Sequence, residues 1–126
     1  MKVLLINGSM RTNGCGNYLF TEVIKSFDSE GIETELISLG NKPYSECIGC
    51  YKCTSKGECI FKDVANEIVN KMKECDGILI SSPVYFSHPS SSILAVLDRV
   101  FMSGTKYFEH KVAGSIVSLR KGRRFF

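Results

Sequence analysis

Residues 3–17 read VLLINGSMRTNGCGN. Val3, Leu4, Leu5 and Ile6 form an unbroken apolar run that stops at Asn7-Gly8. Such a run, ended by a breaker, reads as a strand buried on both faces. Gly8, Gly14 and Gly16 follow, with hydroxyls at Ser9 and Thr12 and a guanidinium at Arg11. Residues 17–29 (NYLFTEVIKSFDS) then place Leu19, Phe20, Val23, Ile24 and Phe27 on one helical face. A glycine-rich loop between a strand and a helix N-terminus favours an anion. Unpaired helix N–H groups and the dipole attract it, and glycines let the backbone approach. Ser9, Thr12 and the Arg11 fork add side-chain donors suited to a phosphate. The bland alternative is a short loop with incidental glycines. Neither G-x-x-x-x-G-K-[ST] nor G-x-G-x-x-G is present, so a P-loop and a dinucleotide fingerprint are both set aside.

Working outward, IETELISL (32–39) alternates as a second strand, and residues 40–62 are loop-like with breakers at Gly40, Pro43, Gly49 and Gly57. Asp63 is a candidate N-cap for a helix running to about Glu74. GILIS (77–81) is a third strand, broken by Ser82-Pro83; residues 90–102 form a third helix capped by one of the serines; KVAGSIVS (111–118) is a fourth strand. Strands alternating with helices predict an α/β, doubly wound parallel sheet, with its ligand at the carboxyl ends of the strands.

The chain has 126 residues and is 44% hydrophobic, which suits a single domain over 1–126. A net charge of +3 implies no nucleic-acid partner, and the basic end (Lys121, Arg123, Arg124) reads as a solvated tail. The first apolar run is too short for a signal peptide, and no stretch approaches a membrane span, so a cytoplasmic location is expected. In a reducing compartment clustered cysteines lean toward metal or redox chemistry.

Residues 81–90 (SSPVYFSHPS) put Tyr85-Phe86 between two prolines at the end of the third strand. A flat heteroaromatic ring needs such an apolar, restrained wall; the competing reading is that the aromatics merely cover the sheet edge.

LLINGSMRTNG resembles the phosphate motif of the NADPH-dependent FMN reductase family, a flavodoxin-like branch whose motif runs G-S-P-R-x-N-G-N-T or G-S-P-R-x-x-G-C-T. Gly8, Ser9, Arg11, Asn13, Gly14 and Cys15 fall on it, Met10 replaces the proline, and Gly16-Asn17 stands where a threonine is common. The stretch from Ser81 to Arg99 is similar to the family's G-S-P-V-Y-F segment and the helix after it, which ends in D-R. The resemblance implies a flavin site built from Ser9, Arg11, Asn13, Gly14, Cys15, Gly16 and Asn17 around the phosphate. Ser82, Pro83, Val84, Tyr85 and Phe86 would lie along the ring, with Ser118, Leu119, Arg120 and Lys121 at a third loop. Asp98 and Arg99 match the D-R pair and are read as structural, with an interfacial role as the alternative; Ala95 replaces a usual lysine, and His88 is read as a surface residue. No catalytic side chain is expected, because the flavin carries the chemistry.

Residues 47–59 (CIGCYKCTSKGEC) hold four of the six cysteines, spaced C-x2-C-x2-C-x5-C. Zinc modules normally use two cysteine pairs a dozen or more residues apart. The compact arc is closer to that of ferredoxin 4Fe–4S sites. It resembles the motif of iron–sulfur flavoproteins, which implies Cys47, Cys50, Cys53 and Cys59 as ligands of a 4Fe–4S cluster passing electrons to FMN. Zinc and free thiols stay open as alternatives. Cys15 and Cys75 lie apart, Cys75 at the end of its helix in the core.

Two functions follow as expectations. One is an FMN-dependent oxidoreductase taking hydride from NAD(P)H and passing electrons to a flavin, quinone, metal or other small acceptor. The other is an electron carrier fed by ferredoxin, working as a homo-dimer or homo-tetramer. A truncated relative that binds nothing well is the non-redox reading. The flavodoxin-like sheet is expected in order 2-1-3-4, lacking a fifth strand and last helix, so the fourth strand becomes an exposed edge.

Overall fold

The computed structural model of the chain describes residues 1–120. The basic end (Lys121, Arg123, Arg124), including the Lys121 position of the third loop, lies outside the described residues.

The first strand, β1 (Lys2–Asn7), buries Val3 through Asn7. It pairs in parallel with β2 (Glu33–Ser38) on one side and β3 (Gly77–Tyr85) on the other. On the far side of β3 lies β5 (Val112–Ser118), also parallel, in register from Gly77↔Val112 to Pro83↔Ser118. The parallel order is therefore β2-β1-β3-β5, the expected 2-1-3-4 in other labels.

Helices cover both faces. α1 (Cys15–Ser29) packs Phe20, Ile24 and Phe27 against Val3 and Leu5. α3 (Val64–Met72) and α4 (Ser91–Gly104) cover Leu4, Ile6 and Ile78 on the other face through Ile68, Val69, Ile93 and Val96. Successive β1 side chains thus feed opposite cores, which is why the strand is apolar throughout. Gly104 lets α4 come close to α3, since a Cβ there would sit 2.8 Å from both Val69 methyls. Lys111 donates to the carbonyls of Met72 and Cys75, closing the C-terminal end of α3.

The structure differs from the sequence reading at four points. Ser82-Pro83 does not break β3. The strand continues to Tyr85 and folds back as a hairpin onto β4 (His88–Pro89), with Val84↔Pro89 and Tyr85↔His88 paired. Pro83 is tolerated because it sits at the last β3–β5 pair, where the ladder hydrogen bond it cannot donate costs little. The turn residues Phe86 and Ser87 both have positive φ, 49° and 68°, as a two-residue hairpin of matching twist requires. The cysteine loop contains a one-turn helix, α2 (Cys53–Lys56), closed by Gly57 in the left-handed region at φ 71°. α1 starts at Cys15, two residues early. Ser90 holds the N-cap position of α4 but its side chain does not cap; the hydroxyl faces the Gly8 carbonyl at 3.4 Å. Asp63 does cap α3, accepting from the Ala65 N–H at 3.0 Å.

Among the described residues β5 pairs with β3 alone, and Val112 and Val117 are 72% and 55% exposed. The expected exposed apolar edge is present.

Candidate functional site

Asn7 organises the loop after β1, and it is 1% exposed. Its Oδ1 accepts from the Ser9 N–H at 3.0 Å and the Ser81 hydroxyl at 3.1 Å, while its Nδ2 donates to Asn17 Oδ1. Asn17 Nδ2 in turn donates to the carbonyls of Arg11 and Thr12. Both ends of the Asn17 amide are thus engaged in the loop. The Arg11 N–H donates to Ser9 Oγ at 3.2 Å, tightening the turn. No side chain caps α1 and its first turn carries no acid, which leaves its leading N–H groups and the positive end of its dipole available to an anion. Gly8 is demanded by close approach: its N–H donates to the Ser81 carbonyl at 2.8 Å, and a Cβ would meet that oxygen at 2.7 Å.

These contacts bring β1 and β3 loop ends together. Ser9 from the first loop, Gly16 from the first turn of α1, Ser82 and Pro83 from the end of β3, and Ser118 from the end of β5 line one crevice at the carboxyl edge of the sheet. Arg11 and Asn13, with Met10 and Thr12, line a second, open groove together with Gly40 and Asn41. Ser82 is buried and its hydroxyl accepts from the Ser90 N–H at 2.9 Å, fixing the start of α4 beneath the hairpin. Tyr85 and Phe86 stand on the projecting hairpin, 46% and 82% exposed. Val84 is half-buried; Leu119 and Arg120 are exposed beyond β5; Cys15 is exposed at the start of α1, and Gly14 is half-buried as its N-cap. Sequence reasoning passed over Asn7, Ser81 and Ser90. The available signal was a lone amide ending an apolar strand, and serines flanking the aromatic turn.

Cys47, Cys50, Cys53 and Cys59 line a single pocket, with Ile48, Tyr51, Ile60, Phe61, Arg99, Met102 and Ser103 completing its wall. None of the four is paired in a disulfide. Among the described residues no three His, Cys, Asp or Glu groups converge as a single-ion site. Four cysteines around one mostly apolar pocket supply the donor chemistry of a sulfur-ligated iron–sulfur cluster. Asn66 clamps Cys59: Oδ1 accepts from its N–H at 2.8 Å and Nδ2 donates to its carbonyl at 2.9 Å. Arg99, 1% exposed, donates from Nη1 to Asp63 Oδ1 at 3.0 Å and from Nη2 to Oδ2 at 2.6 Å. The same Nη1 lies 3.9 Å from Cys59 Sγ. Burial pulls the guanidinium pKa down, but bonds to Asp63 and Cys59 outweigh it and hold the group above its ordinary value. Asp98, its neighbour in the D-R pair, is exposed beside an open groove with Ser91, Ser92 and Ala95, so only Arg99 is structural in the buried sense.

A parallel sheet with helices on both faces and a glycine loop at its carboxyl edge defines a flavodoxin-like domain. The family model described as NADPH-dependent FMN reductase matches residues 1–124, and the chain belongs to that family. It is 46% identical over 99 residues to an iron–sulfur flavoprotein of Methanocaldococcus jannaschii, covering 79% of this chain and 51% of that one. It is 28% identical over 111 residues to an iron–sulfur flavoprotein of Methanosarcina thermophila, covering 88% and 58%. The chain thus spans about half the length of the curated relatives it matches. Among solved structures, RosB with a bound 8-demethyl-8-formylriboflavin-5'-phosphate intermediate superposes with a TM-score of 0.73 at 22% identity, over 96% of this chain and 53% of that one. FerB, a flavoenzyme NAD(P)H:(acceptor) oxidoreductase from Paracoccus denitrificans, gives 0.65 at 16%, over 92% and 59%. These two likenesses establish the flavodoxin-like fold.

Proposed function

We propose that the chain binds FMN and serves an oxidoreductase of the NAD(P)H-dependent FMN reductase type. The observation that carries this is the shared crevice of Ser9, Gly16, Ser82, Pro83 and Ser118 at the carboxyl edge of the sheet. The uncapped α1 N-terminus, Ser9 and Arg11 would hold the phosphate, with Asn13, Gly14, Cys15 and Gly16 shaping the loop around it. Asn17 acts by fixing that loop. Ser82 to Phe86 would lie along the ring, and Ser118, Leu119 and Arg120 would border it. Bound flavin supplies the electron chemistry; the side chains bind and orient it. NAD(P)H is the proposed hydride donor, and the acceptor is a flavin or another small molecule.

A second reading has its own observation: four cysteines lining one pocket in a chain similar to iron–sulfur flavoproteins. In it Cys47, Cys50, Cys53 and Cys59 hold a 4Fe–4S cluster, and the chain is an electron carrier fed by ferredoxin and working as a homo-dimer or homo-tetramer. No described helix is long and apolar enough to cross a membrane; a cytoplasmic setting is part of this proposal because free thiols and such clusters suit reducing conditions.

Purification without oxygen, followed by FMN titration and by iron and sulfide reconstitution, tests both. Tight FMN uptake with NADPH oxidation supports the first reading. Flavin plus stoichiometric iron and sulfide, with reduction by ferredoxin but not by NADPH, supports the second. A folded chain that takes up no FMN at saturation overturns both.

A further inference from the structure

We propose that Arg99 tunes the four-cysteine site: its guanidinium, fixed by Asp63, donates to the Cys59 sulfur and biases a bound cluster toward its reduced state. The inference rests on the cluster reading above.

Arg99 belongs to α4, yet it lines the cysteine pocket. Its Nη1 donates both to Asp63 Oδ1 at 3.0 Å and to Cys59 Sγ at 3.9 Å. Its Nε is buried and has no hydrogen-bond partner among the described residues. A salt bridge that only tied α3 to α4 would need neither feature. The geometry around Cys59 is also over-determined, since Asn66 holds its N–H and its carbonyl at once. The sulfur is therefore kept at the guanidinium by two helices rather than by the loop.

The sign of the effect follows from charge. When a reduced mediator gives one electron to the cluster, no bond forms or breaks and the site gains one negative charge. A cation a few ångströms away in a mostly apolar pocket favours that state. Hydrogen bonds to the sulfurs act in the same direction. Asp63 opposes it, but its side chain is 30% exposed against 1% for Arg99, so water screens the carboxylate more than the guanidinium. The guanidinium is the better buried of the two charges and the one whose nitrogen faces the Cys59 sulfur.

The test is a dye-mediated redox titration of the full chain, reconstituted anaerobically with iron and sulfide. Arg99→Gln should lower the reduced-to-oxidised ratio of the cluster about tenfold at a fixed potential, equivalent to ~59 mV for a one-electron couple. Asp63→Asn should raise that ratio, because it keeps the helix cap and the guanidinium but removes the opposing charge. Arg99→Lys should fall between wild type and Arg99→Gln. A purely structural ion pair would change melting temperature in all three and leave the potential where it was. Loaded Arg99→Gln and Asp63→Asn proteins that titrate with wild type overturn the inference while sparing the cluster. If Arg99→Gln does not hold a cluster, Asp63→Asn decides alone. Folded variants that all fail to load make Arg99 a scaffold residue and end the tuning role. A wild-type chain that takes up no iron or sulfide brings down the cluster reading first, and this inference with it.

Discussion

Asp63 and Arg99 meet through two parallel hydrogen bonds, Oδ1 from Nη1 at 3.0 Å and Oδ2 from Nη2 at 2.6 Å. Asp63 also caps α3, so one carboxylate closes a helix and neutralises a cation at the boundary of the core. Asp63→Ala should lower unfolding free energy by about 3 kcal/mol or more, because it strands a buried charge and removes a cap worth about 1 kcal/mol. Asp63→Asn should cost clearly less. Urea unfolding of the two variants checks the order; equal losses would mean the cap alone matters.

Gly8 allows β1 to pass against the Ser81 carbonyl. Gly8→Ala places a methyl 2.7 Å from that oxygen and 3.1 Å from Ile93 Cβ, both set in packed elements. The expected cost is about 1–3 kcal/mol, with a weakened FMN Kd because the loop carrying Ser9 must shift. Calorimetric titration with FMN, beside a thermal melt, measures both.

Arg11 offers donors to the proposed phosphate without taking part in the core. Arg11→Ala should weaken FMN by roughly ten- to a hundredfold, the size of a charge-assisted hydrogen bond of about 1.5–3 kcal/mol. Riboflavin, which lacks the phosphate, should bind wild type and variant alike. A loss of equal size for both flavins would move Arg11 away from the phosphate.

Cys75 is buried at 2% exposure, and burial pushes its thiol pKa up. A thiol that is both covered and kept protonated is a poor nucleophile. Iodoacetamide on native metal-free protein should therefore modify the exposed Cys15 and Cys50 and spare Cys75. Mass mapping after digestion reads this directly, and early labelling of Cys75 would show that the end of α3 opens.

Glu35 on β2 receives Lys71 of α3 and Lys2 of β1. The Lys71 ammonium bonded to it, with Lys2 adding, holds its carboxyl below the usual carboxylate range despite some desolvation. A carboxylate with a depressed folded pKa stabilises the fold above its unfolded pKa of about 4.3. That contribution fades as pH falls through the lower folded value. Glu35→Gln should thus cost a little stability at pH 7 and nothing at the acid end. A gap between wild type and variant that persists or widens in acid would contradict the assignment.

Periodicity placed the strands and helices because each element is apolar on the faces it buries: β1 feeds both cores, and α1 shows one stripe. It misjudged the end of β3, where the local signal of Ser82-Pro83 suggested a break. The proline's missing N–H costs little at that point in the ladder, and a positive-φ turn at Phe86-Ser87 completes a hairpin instead. Local rules score a proline by its own backbone, whereas the strand's fate depends on which neighbour it pairs with.

By itself the sequence determined the element order, the glycine loop, the aromatic turn and the spacing of the four cysteines, because these are short-range patterns of polarity and backbone freedom. Only the tertiary structure decided that Ser9, Ser82 and Ser118 share one crevice. It alone showed that Asn7 and Asn17 spend their amides on the loop, and that Arg99 reaches Cys59 from forty positions away. Those contacts come from chain segments far apart in sequence. They exist because the parallel sheet brings strand ends to one edge, and because a buried amide or guanidinium must find its partners wherever the packing has put them.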